Sequence, residues 1–344
     1  MKIHYDNLIY SLQHAGGIST YWSELTWRLL RDNEDITFTE SVNQNLARVT
    51  LPILDVSISH PKNKQTVISR FERLSLPFKA PFIFHSSYNR VTNNPFAKQV
   101  ITIHDFVHEK FYSGIRRYLH LHQKNKSIKA SSRIITVSEN TKKDLLNYHP
   151  YLSENDVSVI YNGVSSDFYP LAKNEIEKPY LLFIGSRAYY KNFNLAIDVV
   201  RKHKEFDLYI VGSTLTKKEI IELNKKLPGQ WKLFSGIDNI KLNELYNNAF
   251  SLLYPSSYEG FGIPLLEAMK AGVPFIALNK SSIPEVAGNA GVLVDELDIH
   301  QFSYAINEVE RNRTELIKKG FLQAEKFSWE KCYLETKAVY QSLG

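Results

Sequence analysis

The sequence predicts an α/β protein made of two doubly wound domains, each a parallel sheet with helices on both faces. Three observations predict it. Short runs rich in Val, Ile, Leu, Phe and Tyr alternate with segments of helical periodicity along most of the chain, the pattern of strands buried in a covered parallel sheet. The alternation pauses at a charged, proline-containing loop from Leu171 to Pro179 and then restarts. The 344 residues, 43% of them hydrophobic, are enough for two cores.

The elements follow in order. KIHYD (2–6) reads as a strand and GGISTYWSELTWRLLRD (16–32) as a helix. TFTESV (37–42), PFIFHSS (81–87) and KQVITIHD (98–105) are strands, and IRRYLHLHQKNKSIKAS (115–131) is a helix. RIITVS (133–138) is a strand, followed by SENTKKDLLNYH (138–149), a helix whose start has Ser/Glu/Asn capping chemistry. VSVIYNGVSSDFYPL (157–171) carries an Asn162-Gly163 turn. The second series starts with strand YLLFIGS (180–186), helix NFNLAIDVVRKH (192–203), strand DLYIVGS (207–213), helix KKEIIELNKKL (217–227) and strand WKLFSG (231–236). It continues with helix KLNELYNNA (241–249), strand FSLLYPS (250–256), helix PLLEAMKAG (264–272), strand PFIALN (274–279), short helix IPEVAG (283–288) and strand AGVLVD (290–295). The remainder is helical. The expected domains are 1–165, 166–325, and a C-terminal helix, 326–344, crossing back to the first domain. Two such domains are expected to face each other across a cleft.

Composition narrows the function. Cys332 is the single cysteine, which excludes an internal disulfide and a cysteine-based zinc site and suits a reducing compartment. The N-terminal MKIHYDNLIYSLQHAGG has no signal-peptide pattern, and no run approaches the roughly 20 apolar residues of a membrane span. The expectation is a cytoplasmic protein, soluble or peripheral at the inner membrane. The net charge of +6 sits in residues 1–165, with 20 Lys and Arg against 14 Asp and Glu; the rest is balanced at 22 each. The first half is therefore expected to face an anionic surface or substrate.

The stretch SSYEGFGIPLLEAMKAGVP (256–274) carries the sharpest chemistry. It leaves a strand and enters a helix that Pro264 is expected to begin, since proline suits the first helical position. Gly272 and Pro274 end that helix. The amides of Gly262 and Ile263 then lie at a helix N-terminus, an anion site, and Gly260 and Gly262 let a ligand approach the backbone. Glu267, placed in the first turn, can accept bonds from vicinal hydroxyls such as those of a ribose. Glu259, ahead of the turn, can do the same for a second polyol. One anion between two hydroxyl-rich groups describes a nucleotide-sugar.

Four further constellations have plainer alternatives beside them. In FIGSRAYYKN (183–192), Arg187 and Lys191 are four apart after the first strand of the second domain. They can hold a diphosphate from one helix face, or be ordinary exposed cations. Gly16-Gly17 permits close approach of a ligand, or is only a turn. His104, in the His104-Asp105 pair at the C-terminal edge of a strand, can bond a substrate hydroxyl when oriented by a carboxylate, or be structural. The segment from Tyr112 to Lys143, with Arg116, Arg117, Lys124 and Lys126, can meet a lipid-diphosphate acceptor, an anionic membrane or nucleic acid, or be a solvated helix face.

Taken together, these strings resemble the retaining glycosyltransferases of family 4, which have the GT-B fold of two Rossmann-like domains. EGFGIPLLEAMKAGVPFIA resembles that family's signature of two glutamates separated by seven residues, and GSRAYYKN its Arg/Lys diphosphate clamp. GGI, HDF, VSENTKKDL, VIYNGV and SSIPEVAGNAGVLVD occur in the family's order. The resemblance implies that Arg187 and Lys191 hold the donor diphosphate and that Gly185 belongs to the donor site. It implies that Glu259 contacts the donor sugar and that Phe261, Gly262 and Ile263 bring backbone amides to the phosphates or sugar. Glu267 would bind the ribose, Gly16 and Gly17 would border the phosphates, and His104 would touch the transferred sugar. FHSSYNR and HDFVHEKF resemble bacterial O-antigen and capsule enzymes that use GDP-mannose or related deoxysugars.

The expected activity is therefore transfer of a sugar from a nucleoside-diphosphate donor to a saccharide acceptor, itself free or lipid-linked, with retention of configuration. No cofactor and no metal are expected, because no acidic metal motif is apparent. An epimerase of the same architecture is the alternative. A glycosidase is disfavoured because Glu259 and Glu267 do not flank a glycosidic bond, and a nucleic-acid partner because the second half is neutral.

Overall fold

The computed structural model describes residues 1–60, 70–172 and 177–344, apart from the side chains of Val56 and Arg116. The chain divides into two compact units, Met1–Gly163 with Trp329–Gly344, and Val164–Ser328. Part of the loop expected at the domain boundary, 173–176, lies outside the described residues.

The N-terminal unit is a seven-stranded sheet in which every neighbour is parallel. Its strands are β1 (Ile3–Asp6), β2 (Ile36–Thr39), β3 (Ile58–Ser59), β4 (Phe82–Ser86), β5 (Ala97–Ile103), β6 (Arg133–Thr136) and β7 (Val157–Val159), in the order β3-β2-β1-β4-β5-β6-β7. Ile3 sits opposite Ile36 and Ile83, so apolar residues form continuous rows across the centre. β1 and β4 are buried throughout, which is why they read as unbroken apolar runs rather than alternating ones.

The second strand is shorter than TFTESV promised. It starts at Ile36 and stops at Thr39, Val42 being 95% exposed, and Glu40 turns to take both carboxylate oxygens to Arg48 Nε at 2.8 Å. The helix Val107–Phe111 and the two-residue edge strand β3 were not legible in the sequence.

The C-terminal helix Trp329–Gln341 packs on the helix Gly17–Arg31 of this same unit. A buried hydrogen-bonded chain fastens it. Tyr340 Oη meets Tyr5 Oη at 2.7 Å and His85 Nδ1 at 2.6 Å, and His85 Nε2 meets Thr102 Oγ1 at 3.1 Å. Burial, with a smaller contribution from His104, pushes the His85 pKa down to about 3, so the ring is neutral in that chain.

The C-terminal unit is a six-stranded parallel sheet of β8 (Tyr180–Ile184), β9 (Asp207–Val211), β10 (Trp231–Phe234), β11 (Ser251–Tyr254), β12 (Phe275–Leu278) and β13 (Val292–Val294), in the order β10-β9-β8-β11-β12-β13. Its core joins Leu181, Phe183, Ile197, Leu208, Leu253 and Ile276 to Phe302 and Val309 of the helix Ile299–Ala324. In both sheets the strand order reverses once, between β1 and β4 and between β8 and β11. Ligands of open α/β sheets bind outside the strand C-termini at such a reversal.

Candidate active site at the strand-order reversals

In the C-terminal unit the reversal brings together the loops after β8 and β11. Gly185 directly follows strand β8, with φ +122°, a conformation open to glycine. The carbonyl of Gly185 would lie 2.6 Å from any Cβ at position 212, so Gly212 is needed for the loops after β8 and β9 to approach each other. A short turn, Tyr189–Lys191, leads to Asn192 at φ +51°. The Asn192 side-chain amide donates to Pro255 O at 2.8 Å and Ser257 Oγ at 2.7 Å, and Ser257 N donates to Tyr190 O at 2.8 Å. These bonds knit the two loops and set Lys191 Nζ 2.5 Å from Glu259 Oε1.

Two serines hold the Glu259 loop from the far side. Ser281 Oγ donates to Glu259 O at 2.6 Å, and the buried Ser282 Oγ lies 2.9 Å from both Glu259 O and Phe261 O. Gly262, at φ +112°, is the N-cap of the helix Ile263–Lys270. Of the residues that open this helix, Ile263 has an amide without an intrahelical acceptor, Pro264 has no N–H, and Leu265 N donates back to Gly262 O at 3.0 Å.

Three expectations about these stretches need correction. Ile263, not Pro264, begins the helix, and Pro264 is its second residue. Glu267 is therefore the fifth and lies beyond the first turn. It is half-buried, and Tyr246 Oη donates to its Oε2 at 2.8 Å. Burial raises its pKa to about 7 against the lowering effect of that bond. The third correction concerns the cation pair. Arg187 and Lys191 lie on a loop and its turn rather than on one helix face, and each has its own carboxylate. Arg187 Nε is 2.5 Å from Glu219 Oε1, beside a cavity of about 340 Å³ lined by Arg187, Asn192, Phe193, Glu219, Glu222 and Leu297 among others.

In the N-terminal unit, Gly16 caps the helix Gly17–Arg31, and its carbonyl accepts from Thr20 N at 3.0 Å. A Cβ on Gly16 would meet Gln13 Oε1 at 2.8 Å. His104 follows β5, its ring perpendicular to Tyr21 at 4.9 Å, and burial holds its pKa down at about 4 although Asp105 opposes this. The carboxylate of Asp105 does not orient His104: Oδ1 accepts from Val107 N at 3.0 Å and starts the next helix. A small cavity of about 70 Å³ is lined by His104, Asp105, Tyr88, His108, His120 and Lys124 among others. The rings of His108 and His120 stack there at 3.8 Å, and burial pushes the His120 pKa down to about 3.

Lys124 is not on the surface where the basic segment was expected to place it. It is 3% exposed and donates to Asp105 O at 2.6 Å and Glu109 Oε1 at 2.9 Å, over the ring of Phe106. Burial lowers its pKa although Glu109 and Asp105 oppose this. Arg117 and Lys126 are half-buried on the same helix, Gly114–Ala130. The Arg116 side chain lies outside the described residues.

Sequence reasoning missed Asn192, Gly212, Glu219, Tyr246, Ser281 and Ser282, all of which shape the C-terminal site. The SSIPE string held the one available signal, because it brings two hydroxyls to the start of a proline-containing helix. Among the described residues no group of three or more His, Cys, Asp or Glu is placed to hold a metal ion. Among them, too, no helix is long and apolar enough to cross a membrane.

The chain is similar to known proteins over most of its length. Residues 15–168 match the family model described as Glycosyltransferase Family 4, and residues 170–321 the one described as Glycosyl transferases group 1. The chain is 26% identical over 325 residues to O-antigen chain mannosyltransferase B of Escherichia coli, an alignment covering 87% of this chain and 82% of the relative. It is 32% identical over 222 residues to O-antigen chain mannosyltransferase RfbU of Salmonella typhimurium, covering 62% and 61%. Sucrose-phosphate synthase of Thermosynechococcus elongatus has the same fold, with a TM-score of 0.79 at 17% identity, covering 100% of this chain and 99% of that one. So does HepE of Anabaena, solved with UDP and glucose, at 0.75 and 14% identity, covering 99% and 100%. The two family models take in most of both parallel-sheet units, and the chain belongs to the glycosyltransferases of the GT-B fold.

Proposed function

We propose that the chain is a retaining hexosyltransferase that moves a sugar from a nucleoside-diphosphate donor to a saccharide acceptor in bacterial O-antigen or lipopolysaccharide-type synthesis. GDP-mannose or a GDP-deoxysugar is the favoured donor. The observation that carries the reading is the Lys191–Glu259 pair, set three residues before the glycine that caps a helix N-terminus. One place thus holds a cation, a hydroxyl acceptor and a helix N-terminus whose Ile263 amide has no intrahelical acceptor. A departing diphosphate gathers negative charge, which Lys191 and the helix terminus can take. Once phosphate takes Lys191, Glu259 is released to accept hydroxyls of the donor sugar, and Glu267 serves the ribose.

Retention of configuration follows from the resemblance to family 4: the departing phosphate accepts the acceptor's proton on the same face. These cations fill the role a metal would otherwise have. In the N-terminal unit, Gly16, Gly17 and His104 are assigned to the phosphates and the transferred sugar. Arg116, Arg117 and Lys126 are assigned to a lipid-linked acceptor at the anionic inner-membrane surface. Similarity to the two O-antigen chain mannosyltransferases supports mannose and the polysaccharide class. The UDP bound to HepE keeps a uridine donor in the test.

The test is a thermal-shift panel with GDP, UDP, ADP, dTDP and CDP, with and without Mg²⁺, repeated for Lys191→Ala. A ligand bound to the folded state raises Tm by mass action. A rise with GDP that the variant loses is expected. A rise with UDP alone overturns the guanosine donor, and no rise with any diphosphate overturns the transferase reading.

A further inference from the structure

Arg187 is already occupied. Its Nε donates to Glu219 Oε1 at 2.5 Å and Nη1 to Ser213 O at 3.0 Å; Nη2 donates to Thr214 O at 2.8 Å and lies 3.4 Å from Ser213 Oγ. A guanidinium has five N–H groups, so one remains for a ligand. Its side chain is 7% exposed against 24% for Glu219.

Glu219 is held independently of Arg187. It is the third residue of the helix Lys217–Lys226, where it forms a capping box with Thr216. Its Oε2 accepts from Thr216 N and Thr216 Oγ1, both at 2.7 Å, leaving Oε1 for Arg187. Burial alone would raise its pKa, but the bonds from Arg187 and Thr216 outweigh this and hold it at about 2. The carboxylate is thus ionised at any working pH, and a helix start points it at the guanidinium. Glu222, one turn on, lines the same cavity.

We propose that Glu219 is a positioning residue that competes with the donor diphosphate for Arg187 and so sets how tightly the nucleotide is held and how fast it leaves. This rests on the donor reading above. When a diphosphate arrives, Arg187 exchanges the Glu219 oxygen for phosphate oxygens. Glu219 keeps its Thr216 bonds and its access to water, so the exchange leaves no buried orphan charge. When the nucleoside diphosphate departs, Glu219 takes the guanidinium back.

The test compares binding of GDP and UDP, by calorimetry, to the wild type, Glu219→Gln, Arg187→Ala and the double variant, with steady-state kinetics alongside. Glutamine also serves in a capping box, so Glu219→Gln removes the charge and keeps the helix start. The expected result is a Kd about two- to fivefold lower for Glu219→Gln, the scale of one partly exposed ion pair. KM and kcat should fall together as release slows. In the Arg187→Ala background the same substitution should change nothing. Unchanged or weaker binding by Glu219→Gln, beside a loss in Arg187→Ala, overturns the competition while leaving the donor reading intact. An equal gain in the Arg187→Ala background also overturns it, since the effect would then be a general charge effect. A wild type that binds neither nucleotide overturns the guanosine or uridine donor reading, and the competition with it.

Discussion

Lys191 Nζ donates to Glu259 Oε1 at 2.5 Å, between loops that follow β8 and β11, the two strands flanking the reversal of strand order in the C-terminal sheet. Sixty-eight positions separate the two residues in sequence. Lys191 Nζ also lies 5.6 Å from the ring centroids of Tyr190 and Tyr254, so the ammonium is framed by aromatic faces. Lys191→Ala is expected to lower kcat/KM by about 10²–10³, the scale of losing one donor to a developing oxyanion. Steady-state kinetics on the identified donor measures it, and an unchanged kcat/KM removes Lys191 from the site.

The raised pKa of Glu267 makes stability depend on pH. Its ordinary value of 4.5 rises to about 7 on folding. Between these values the folded chain holds a proton that the unfolded chain has lost, so this group's contribution to stability falls as pH rises from 4.5 to 7 and then levels off. The change is on the order of 3 kcal/mol. Denaturant melts of the wild type and Glu267→Gln at pH 5 and pH 8 should show the wild type losing more stability than the variant. Donor affinity should rise over the same range as the carboxylate ionises to accept ribose hydroxyls, and Glu267→Gln should flatten that profile.

Ser282→Ala removes the hydroxyl shared by the carbonyls of Glu259 and Phe261. The site is fully buried, so the cost should be about 1–3 kcal/mol. A melt measures it. A larger proportional effect on donor KM would show that the serine also shapes the loop.

Gly262→Ala tests the backbone. At φ +112° an alanine is strained, although its Cβ would meet only the Leu265 side chain, Cδ1 at 3.4 Å and Cγ at 3.8 Å, both ordinary contacts. The cost should be about 1–3 kcal/mol. Weakened diphosphate binding is expected with it, because the cap sets the direction of the first helical amides. A variant with wild-type Tm and wild-type binding would remove the glycine requirement.

Lys124 and Lys126 should behave oppositely although both belong to one basic helix. Lys124→Met leaves Glu109 as an uncompensated buried charge, and Glu109 Oε2 already has no partner. The expected cost is about 3–5 kcal/mol. Lys126→Met, at a half-buried position with open access to solvent, should stay within about 0.5 kcal/mol. Melts of the two variants decide, and equal effects would refute the burial argument.

Most strands and long helices were legible because a parallel sheet covered on both faces writes continuous apolar runs such as YLLFI and FIAL, and helices write their own period. The EGFG turn was legible because glycine and proline punctuate the backbone locally, although the helix starts one residue earlier than read and Glu267 is therefore its fifth residue, just past the first turn. What sequence alone could not supply was partnership. Arg187 finds Glu219 and Lys191 finds Glu259 because the order β9-β8-β11 lays three loops side by side. Lys124, spaced like any surface lysine, turns inward because Glu109 and the Asp105 carbonyl wait beneath the helix. Local periodicity and turn chemistry act over a few residues and therefore show in the chain itself. The pairing of charges acts across strands, and only the assembled sheet decides which carboxylate each cation meets.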